Sequence, residues 1–470
     1  MSYLLTTSNF LWSYIIVALL IGVGLYFTFR SRFLQVRMIK EMIRVLKEGT
    51  NKQKSGVTPF QAFAISMAAR VGTGNITGIA IAIAMGGPGA IFWMWVLAVI
   101  GSASSFVEST LAQVYKVKDE TGFRGGPAYY IEKGLKKRWM GILFAILITI
   151  SFGIVFNAVQ SNTITVAFEN SFGTDRLTMG IIMAIGFSAI IFGGVKAIAK
   201  MSEYIVVVLA VVYIGVAFFI MITNITELPG VISTIFTHAF GIEQFAGGTI
   251  GVVIMEGIKR GLFSNEAGMG SAPNAAAAAV TSHPVKQGLI QAFGVLTDTL
   301  IICTSTAFIV LFSDAYKTTN LTGIALTQAS LSEHIGSWAS GFLAIMVFLF
   351  AFSTLIGNYY YGETNIDFLN SSKGWLIVYR IVVIGMVLFG AVASVPLVWN
   401  LADLFMGLMV IVNLIAITML SKVAFAALKD YMKQKQEGKD PVFYKNTVPL
   451  NENIECWDED HVSLKKDQSS

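Results

Sequence analysis

The run "ARVGTGNITGIAIAIAMGG" is apolar over most of its length but is broken near its start by Gly72, Thr73, Gly74 and Asn75, directly after Arg70. In a membrane-spanning helix, such a break turns the backbone into a chemical group. Amides at the start of the second half-helix carry partial positive charge and bind a carboxylate, and the carbonyls set free can ligate a hard cation. Gly72 and Gly74 allow backbone angles and a close approach that a Cβ would block. Thr73 and Asn75 add a hydroxyl and an amide. The plainer alternative is helix packing, because Gly74 and Gly78 form a small-xxx-small pair. Phosphate binding is set aside, since no Lys-Ser or Lys-Thr follows the glycines.

Other polar groups are spaced to join the break. "FNAVQSNTIT" puts Asn157 and Gln160 on one helix face. "AFSTLIGNYYYGE" carries adjacent hydroxyls at Ser353 and Thr354. With freed carbonyls they make an all-oxygen cage of low charge, which suits sodium better than a divalent metal; the alternative is that each hydroxyl bonds its own helix. Charges within apolar runs are Arg70, Glu108, Glu256, Lys259, Arg260, Glu266, Asp298 and Asp403. Each is a functional suspect, with structural ion pairing as the rival role. Glu256 stands out: it lies where a second run begins to break, and its carboxylate could face an ammonium group. His238, His283, His334 and His461 fall in loops or the tail, so neither a histidine proton relay nor a zinc site has support.

The elements that position these groups are membrane spans. The chain has 470 residues, 55% hydrophobic and 13% charged, against about 25% charged in a soluble domain. Apolar runs near the length of a bilayer crossing recur throughout. Eleven spans are expected, at about 10–29, 60–86, 90–116, 140–168, 178–196, 201–223, 246–280, 286–313, 339–367, 374–395 and 398–424. The first 29 residues lack Lys and Arg, so the first span reads as a retained helix and not as a cleaved leader. The two cysteines, Cys303 and Cys456, are too differently placed to suggest a disulfide.

Basic residues set the expected orientation. Arg30, Arg32, Arg37, Lys40, Arg44, Lys47, Lys52 and Lys54 crowd the first loop, and Lys116 to Arg138 hold seven more; stretch 224–245 has none. This puts the N-terminus outside and the C-terminus in the cytoplasm. "FRGGPAYYIEKGLKKRW" reads as a turn and an interfacial helix on the inner leaflet. The tail, 425–470, reads as mobile. Apart from the N-terminal helix and basic loop (1–58), the remaining ten spans divide into a first set of five (59–224) and a second, inverted set of five (245–424), each opening with its most interrupted helix. Paired broken helices in inverted halves point to a transporter's central site.

"GLYFTFRSRFLQ", "RVGTGNITG", "FRGGPAYYIEKGL", "RGLFSNEAGMGSAP" and "NYYYGE" resemble motifs of the alanine or glycine:cation symporter family, and the likeness covers about Phe10 to Lys429. Val71 to Asn75 is also similar to the broken helix of sodium-coupled neurotransmitter-type transporters. The resemblance implies an all-α polytopic membrane protein of about eleven transmembrane helices, with an inverted five-helix repeat core (leucine-transporter-like), one extra N-terminal helix and two broken helices. It implies import of a small neutral amino acid (glutamine, alanine or glycine) through the plasma membrane, coupled to sodium; the alternative is a proton-coupled symporter using Glu256 or Asp298. By position, the substrate pocket falls on Gly72, Thr73, Gly74, Asn75, Gln160 and the start of the second break. The sodium site falls on the Ala68 and Val71 carbonyls with the Ser353 and Thr354 hydroxyls. Alanine-binding members carry Trp where this chain has Asn358, which favours a longer, polar substrate such as glutamine. The expected partners are the amino acid, sodium and the lipid bilayer, with no nucleic acid and no cofactor beyond the coupling ion. No channel filter repeat and no His-Glu-x-x-His or Gly-x-Ser-x-Gly enzyme motif appears.

Overall fold

The computed structural model describes residues 2–50, 56–119, 122–192, 195–241, 249–447 and 453–458. Lys52, Lys54, the beginning of the seventh expected span and His461 lie outside the described residues. The helices are α1 (Thr6–Arg30), α2 (Ile39–Glu48), α3 (Pro59–Arg70), α4 (Gly74–Gly86), α5 (Ala90–Val114), α6 (Pro127–Leu135), α7 (Arg138–Phe172), α8 (Arg176–Ile191), α9 (Val195–Thr223), α10 (Leu228–Ala239), α11 (Ile250–Asn265), α12 (Ala272–Ala278), α13 (Pro284–Leu311), α14 (Gly323–Ile335), α15 (Trp338–Leu369), α16 (Lys373–Val392) and α17 (Val395–Gln436). A small antiparallel hairpin, β1 (Val117–Asp119) and β2 (Gly122–Arg124), pairs Val117 with Arg124 and precedes α6.

Local chemistry starts these helices where the sequence places them. Thr58 caps α3 with Pro59 at its first turn: the Thr58 hydroxyl accepts from the Gln61 amide at 3.1 Å, and the Gln61 side chain accepts from the Thr58 amide at 3.1 Å. Asp175 caps α8 by accepting from the Thr178 amide at 2.8 Å. Ile181, Ile182 and Ile185 on α8 and Val378, Ile381 and Val382 on α16 face outward, an apolar belt of the kind lipid covers.

Among the described residues, seven helices are long and apolar enough to cross a membrane singly. Two further pairs pass only as bent spans: α3 with α4, bent by 48°, and Leu209–Thr223 of α9 with α10, bent by 104°. Each of the eleven expected spans has helix at its place. α3, α4, α5, α11, α12 and α13 pack together as one group, and α7, α8, α15 and α16 as another, with α17 running beside both.

Four regions differ from expectation. Stretches 224–245 and 314–338, expected as loops, carry α10 and α14; these lay Ile235, Ala239, Leu326 and Leu331 onto the bundle. The apolar face of helix α6 is covered by protein. Tyr129, Tyr130 and Ile131 are buried, and the Tyr130 hydroxyl bonds the Asn413 side chain, because its aromatic face finds a protein partner before lipid. Helix α17 continues past residue 424, burying Ala427, Leu428 and Tyr431. The tail was expected to be mobile; of its part beyond α17, the described residues 437–447 and 453–458 are docked, with Phe443 and Trp457 fully buried, while 448–452 and 459–470 lie outside the described residues.

Close helix contact rests on glycine. A Cβ at Gly390 of α16 would meet the Ala158 Cα of α7 at 2.5 Å, whereas at Gly385 nothing lies within 4 Å. Gly390→Val should therefore destabilise the fold by on the order of 3 kcal/mol through overpacking, and Gly385→Val should be neutral. Thermal unfolding of the two detergent-solubilised variants checks this.

Candidate functional site

Helix α3 ends at Arg70. Val71 leaves helical geometry at φ −78°, ψ 89°, and α4 restarts at Gly74 with a wide, π-helical turn over Gly74–Gly78. Every group at the break is buried. The Gly72 amide donates to the Asn75 side-chain oxygen at 2.9 Å, and the Thr73 amide donates to Gln160 Oε1 of α7 at 3.2 Å. Gly72 can only be glycine: a Cβ would strike the Thr354 hydroxyl and approach Gln160 Oε1 to 3.0 Å.

Thr354 of α15 sits in the bend. Its Oγ1 lies 2.8 Å from the Ala68 carbonyl, 3.3 Å from the Val71 carbonyl and 3.1 Å from the Phe350 carbonyl. A hydroxyl has one hydrogen to give, so three carbonyl oxygens compete for it. Ser353 Oγ lies 2.7 Å from the same Phe350 carbonyl. The result is a pocket of neutral oxygens with more acceptors than donors, the donor set a hard monovalent cation takes. No group of three or more His, Cys, Asp or Glu suited to a metal ion occurs among the described residues. The structure thus brings Ala68, Val71 and Thr354 together and adds the Phe350 carbonyl. Ser353 bonds back to its own helix, as the plainer reading of a helical hydroxyl has it. Phe350 was missed because a backbone carbonyl leaves no trace in residue type; its place one turn before Thr354 was the available hint.

Asn75 and the second helical break are tied by Asp298. The Asn75 amide donates to Asp298 Oδ1 at 2.6 Å, and the Ser264 hydroxyl of α11 donates to Asp298 Oδ2 at 2.8 Å. Asp298 opens a π-helical stretch, Asp298–Cys303, within α13, a feature frequent at functional sites. Phe263 and Ser264 pack on Gly74, whose added Cβ would come within 3.1 Å of the Phe263 ring and 3.0 Å of Ser264 Cα. The start of the second break therefore borders the first.

The second break runs from Glu266 to Ser271, with Glu266, Gly268 and Gly270 at φ 57°, 81° and 86°. Its amides are already occupied: Glu108 of α5 accepts from the Gly268 and Gly270 amides at 3.1 Å each and from the Asn413 side chain at 2.8 Å. The two breaks differ in what covers their amides: neutral side-chain oxygens of Asn75 and Gln160 at the first, and the Glu108 carboxyl group at the second.

Several buried polar atoms lack a hydrogen-bond partner among the described residues, both amide atoms of Gln287 among them, and two such side chains lie near the first break. Both amide atoms of Asn358, which is fully buried one turn beyond Thr354, have no hydrogen-bond partner among the described residues; nor has the Thr73 hydroxyl. Leaving such groups unpaired costs about 1–3 kcal/mol each.

Glu256 does not join the site. It lies beside Gly86, at the far end of α4, in a buried ion cluster. Its carboxylate is 2.7 Å from Lys259 and 3.4 Å from Arg260; Arg260 makes a bidentate pair with Asp403 at 2.9 and 2.8 Å, and Lys259 reaches Asp403 at 3.3 Å. Two cations and two carboxylates satisfy one another, so the expectation that Glu256 meets a ligand ammonium is corrected. The i, i+3 and i, i+4 spacing of Glu256, Lys259 and Arg260 was the signal for this.

A family model described as the sodium:alanine symporter family matches residues 1–445. The chain is 72% identical over 451 residues to the "Probable sodium/glutamine symporter GlnT" of Bacillus subtilis (strain 168), covering 96% of this chain and 94% of that one. It is 39% identical to the "Sodium/alanine symporter AgcS" of Methanococcus maripaludis, covering 93% of this chain and 98% of that one. Among solved structures, it resembles a Na+-coupled sialic acid symporter in a substrate-bound outward-open state, with a TM-score of 0.52, 15% identity and 94% of both chains covered. It also resembles MhsT in complex with L-phenylalanine, with a TM-score of 0.53, 12% identity and coverage of 80% and 98%. At these identities the structural likeness is one of fold, and it agrees with the leucine-transporter-like architecture.

The ion cluster makes a separable expectation. Glu256→Gln leaves a buried excess cation and should lower the thermal midpoint sharply, by the roughly 3–5 kcal/mol typical of a broken buried pair. Glu256→Gln with Lys259→Met removes one charge of each sign and should recover most of that loss. Thermal unfolding of the single and double variants decides it.

Proposed function

The chain belongs to the sodium:alanine symporter family, and from that premise we propose that it imports glutamine in preference to alanine, with sodium at the Thr354 pocket. It is a multi-pass membrane carrier and not an enzyme, and its activity is sodium-coupled symport of a neutral amino acid by alternating access. We place the N-terminus outside and the C-terminus in the cytoplasm of a plasma membrane, from the basic residues crowding the loops around α2 and α6.

The substrate carboxylate meets the Gly72 and Thr73 amides at the start of α4, displacing the side-chain oxygens of Asn75 and Gln160. Its ammonium meets carbonyls at the end of α11, beside Phe263 and Ser264. Sodium takes the Ala68, Val71 and Phe350 carbonyls with the Thr354 hydroxyl, and Ser353 lies adjacent. Thr354 serves the ion while Gln160 and Gly72 serve the substrate, and Gly72 lies so close to both side chains that an added Cβ would meet each of them. That shared wall couples the two: filling either site stiffens the bend that forms the other.

The observation that carries the glutamine reading is Asn358. Its unpaired donor and acceptor lie on the same face of α15 as Thr354. A terminal carboxamide satisfies both, and a methyl side chain satisfies neither; a site built to pair a polar group discriminates against analogues that lack it. The likeness to a sodium/glutamine symporter supports the same choice.

Two experiments test this in proteoliposomes. Thr354→Val keeps volume and removes an oxygen, so half-saturating sodium should rise about tenfold or more, the effect of losing one good contact; an unchanged sodium dependence excludes this hydroxyl from the ion site, and transport that persists on a proton gradient alone favours the proton-coupled alternative. In competition assays the wild type should prefer glutamine, and Asn358→Trp should lose glutamine uptake while sparing alanine. Equal loss of both, or wild-type preference for alanine, removes Asn358 from substrate selection.

A further inference from the structure

The segment after α17 folds back across the face of the bundle that carries the basic loops. The Phe443 amide donates to the Ser282 carbonyl at 2.9 Å, and the Phe443 ring stands on His283, with centroids 5.3 Å apart. The Lys445 amide donates to the Trp457 carbonyl at 3.0 Å, joining the two described parts of the segment, and the Phe443 and Trp457 rings meet edge to face at 5.3 Å. Trp457 is the deepest point. Its indole N–H donates to the Gln113 carbonyl at 3.0 Å, and its ring stands 4.6 Å from the Lys116 ammonium, with Phe123 4.2 Å away.

Lys116 and Gln113 control α12, the short half-helix after the second break. The Lys116 ammonium donates to the Ala279 carbonyl at 3.1 Å, and the Gln113 side chain donates to the Ala276 and Ala279 carbonyls at 2.5 and 2.9 Å. These cap the C-terminal end of α12. Near its other end, Asn274 accepts from the Asn365 side chain of α15 at 2.9 Å. That bond crosses the seam between the two groups of helices: α12 belongs with α5 and α13, and α15 with α7. Along α15, buried Tyr361 and Asn365 carry side-chain oxygens with no partner among the described residues. The docked segment spans both sides of this seam. Lys286 of α13 pairs with Asp440 at 2.5 Å, and Lys133 of α6 pairs with Glu455. The Asn453 side chain donates to the Lys133 carbonyl at 3.2 Å.

We propose that the docked C-terminal segment, residues 440–447 and 453–458, is a latch that holds the carrier closed toward the basic face, acting through Trp457 on Lys116 and so on α12. Opening that face requires α12 to part from α15. Trp457 anchors the segment to the α5–α12 side through Gln113 and Lys116, and the Lys133–Glu455 pair fastens it to α6 on the other, so the segment resists this parting. Gln113, Lys116 and Trp457 are positioning residues; none touches the substrate or ion. The segment is thus an autoinhibitory element whose release raises the population open to the cytoplasm, given the topology and alternating access proposed above.

The test is thiol labelling of Thr364→Cys, in full-length protein carrying Cys303→Ala and Cys456→Ser, with a membrane-impermeant maleimide applied to the basic face of sealed vesicles. Exposed Lys137→Cys serves as the control for topology: if it reacts only from outside the cell, the topology fails, whatever the latch does. With Trp457→Ala, labelling of Thr364→Cys and the maximal uptake rate should rise on the order of tenfold, the scale for losing a buried cation–π contact and a hydrogen bond, with the substrate KM changed far less. Trp457→Phe keeps a ring over Lys116 and should show a smaller rise. Glu455→Lys, on an exposed side chain, should also raise labelling, and adding Lys133→Glu should return it toward the parent level; this pair decides the matter if Trp457→Ala does not reach the membrane. Labelling and uptake unchanged in both Trp457→Ala and Glu455→Lys, or lowered in either, overturn the latch.

Discussion

A helix that stops inside a membrane exposes backbone amides and carbonyls that water cannot reach, and the structure must satisfy each of them. This chain meets that demand twice, in opposite ways. At Gly72–Asn75 it uses neutral groups: the Asn75 and Gln160 side-chain oxygens cover two amides, and a single Thr354 hydroxyl serves the Ala68, Val71 and Phe350 carbonyls. At Glu266–Ser271 it uses a carboxyl group, with Glu108 accepting from the Gly268 and Gly270 amides. Neutral, oversubscribed contacts can yield to a carboxylate and a cation. A buried carboxylate on two amides cannot be displaced without stranding a charge.

The eight charges in apolar runs divide along the same line. Glu256, Lys259, Arg260 and Asp403 form a closed set of equal and opposite charge away from the site. Glu108, Glu266 and Asp298 gather around the two breaks, each bonded by hydroxyls, amides or backbone N–H groups. Buried Arg70 lies just ahead of the first break. Asp298 has the widest reach, because its two oxygens hold Asn75 on one broken helix and Ser264 on the other. Movement of either half-helix is felt by its partner through this carboxylate. The docked tail adds a third contact, on Gln113 and Lys116 of α5, whose side chains cap α12.

The span positions, the two breaks and the resemblance to a symporter family were legible in the sequence, because length, apolarity and glycine placement are local properties that the bilayer enforces directly. So was the meeting of Thr354 with the Ala68 and Val71 carbonyls, through the family likeness. What required the tertiary structure was the choice of partner. Glu256 looked available because its carboxylate sits near a break, but Asp403, far along the chain, completes its ion cluster. Tyr129 and Tyr130 looked like a lipid-facing stripe, but α17 supplied Asn413 to receive Tyr130. The tail looked mobile because it lacks periodicity, yet two aromatic residues, Phe443 and Trp457, suffice to dock it once the bundle presents Lys116 and His283 at the right spacing. Local sequence states what a side chain can do, and a buried polar or aromatic group takes whichever partner the packed helices bring within a few ångströms.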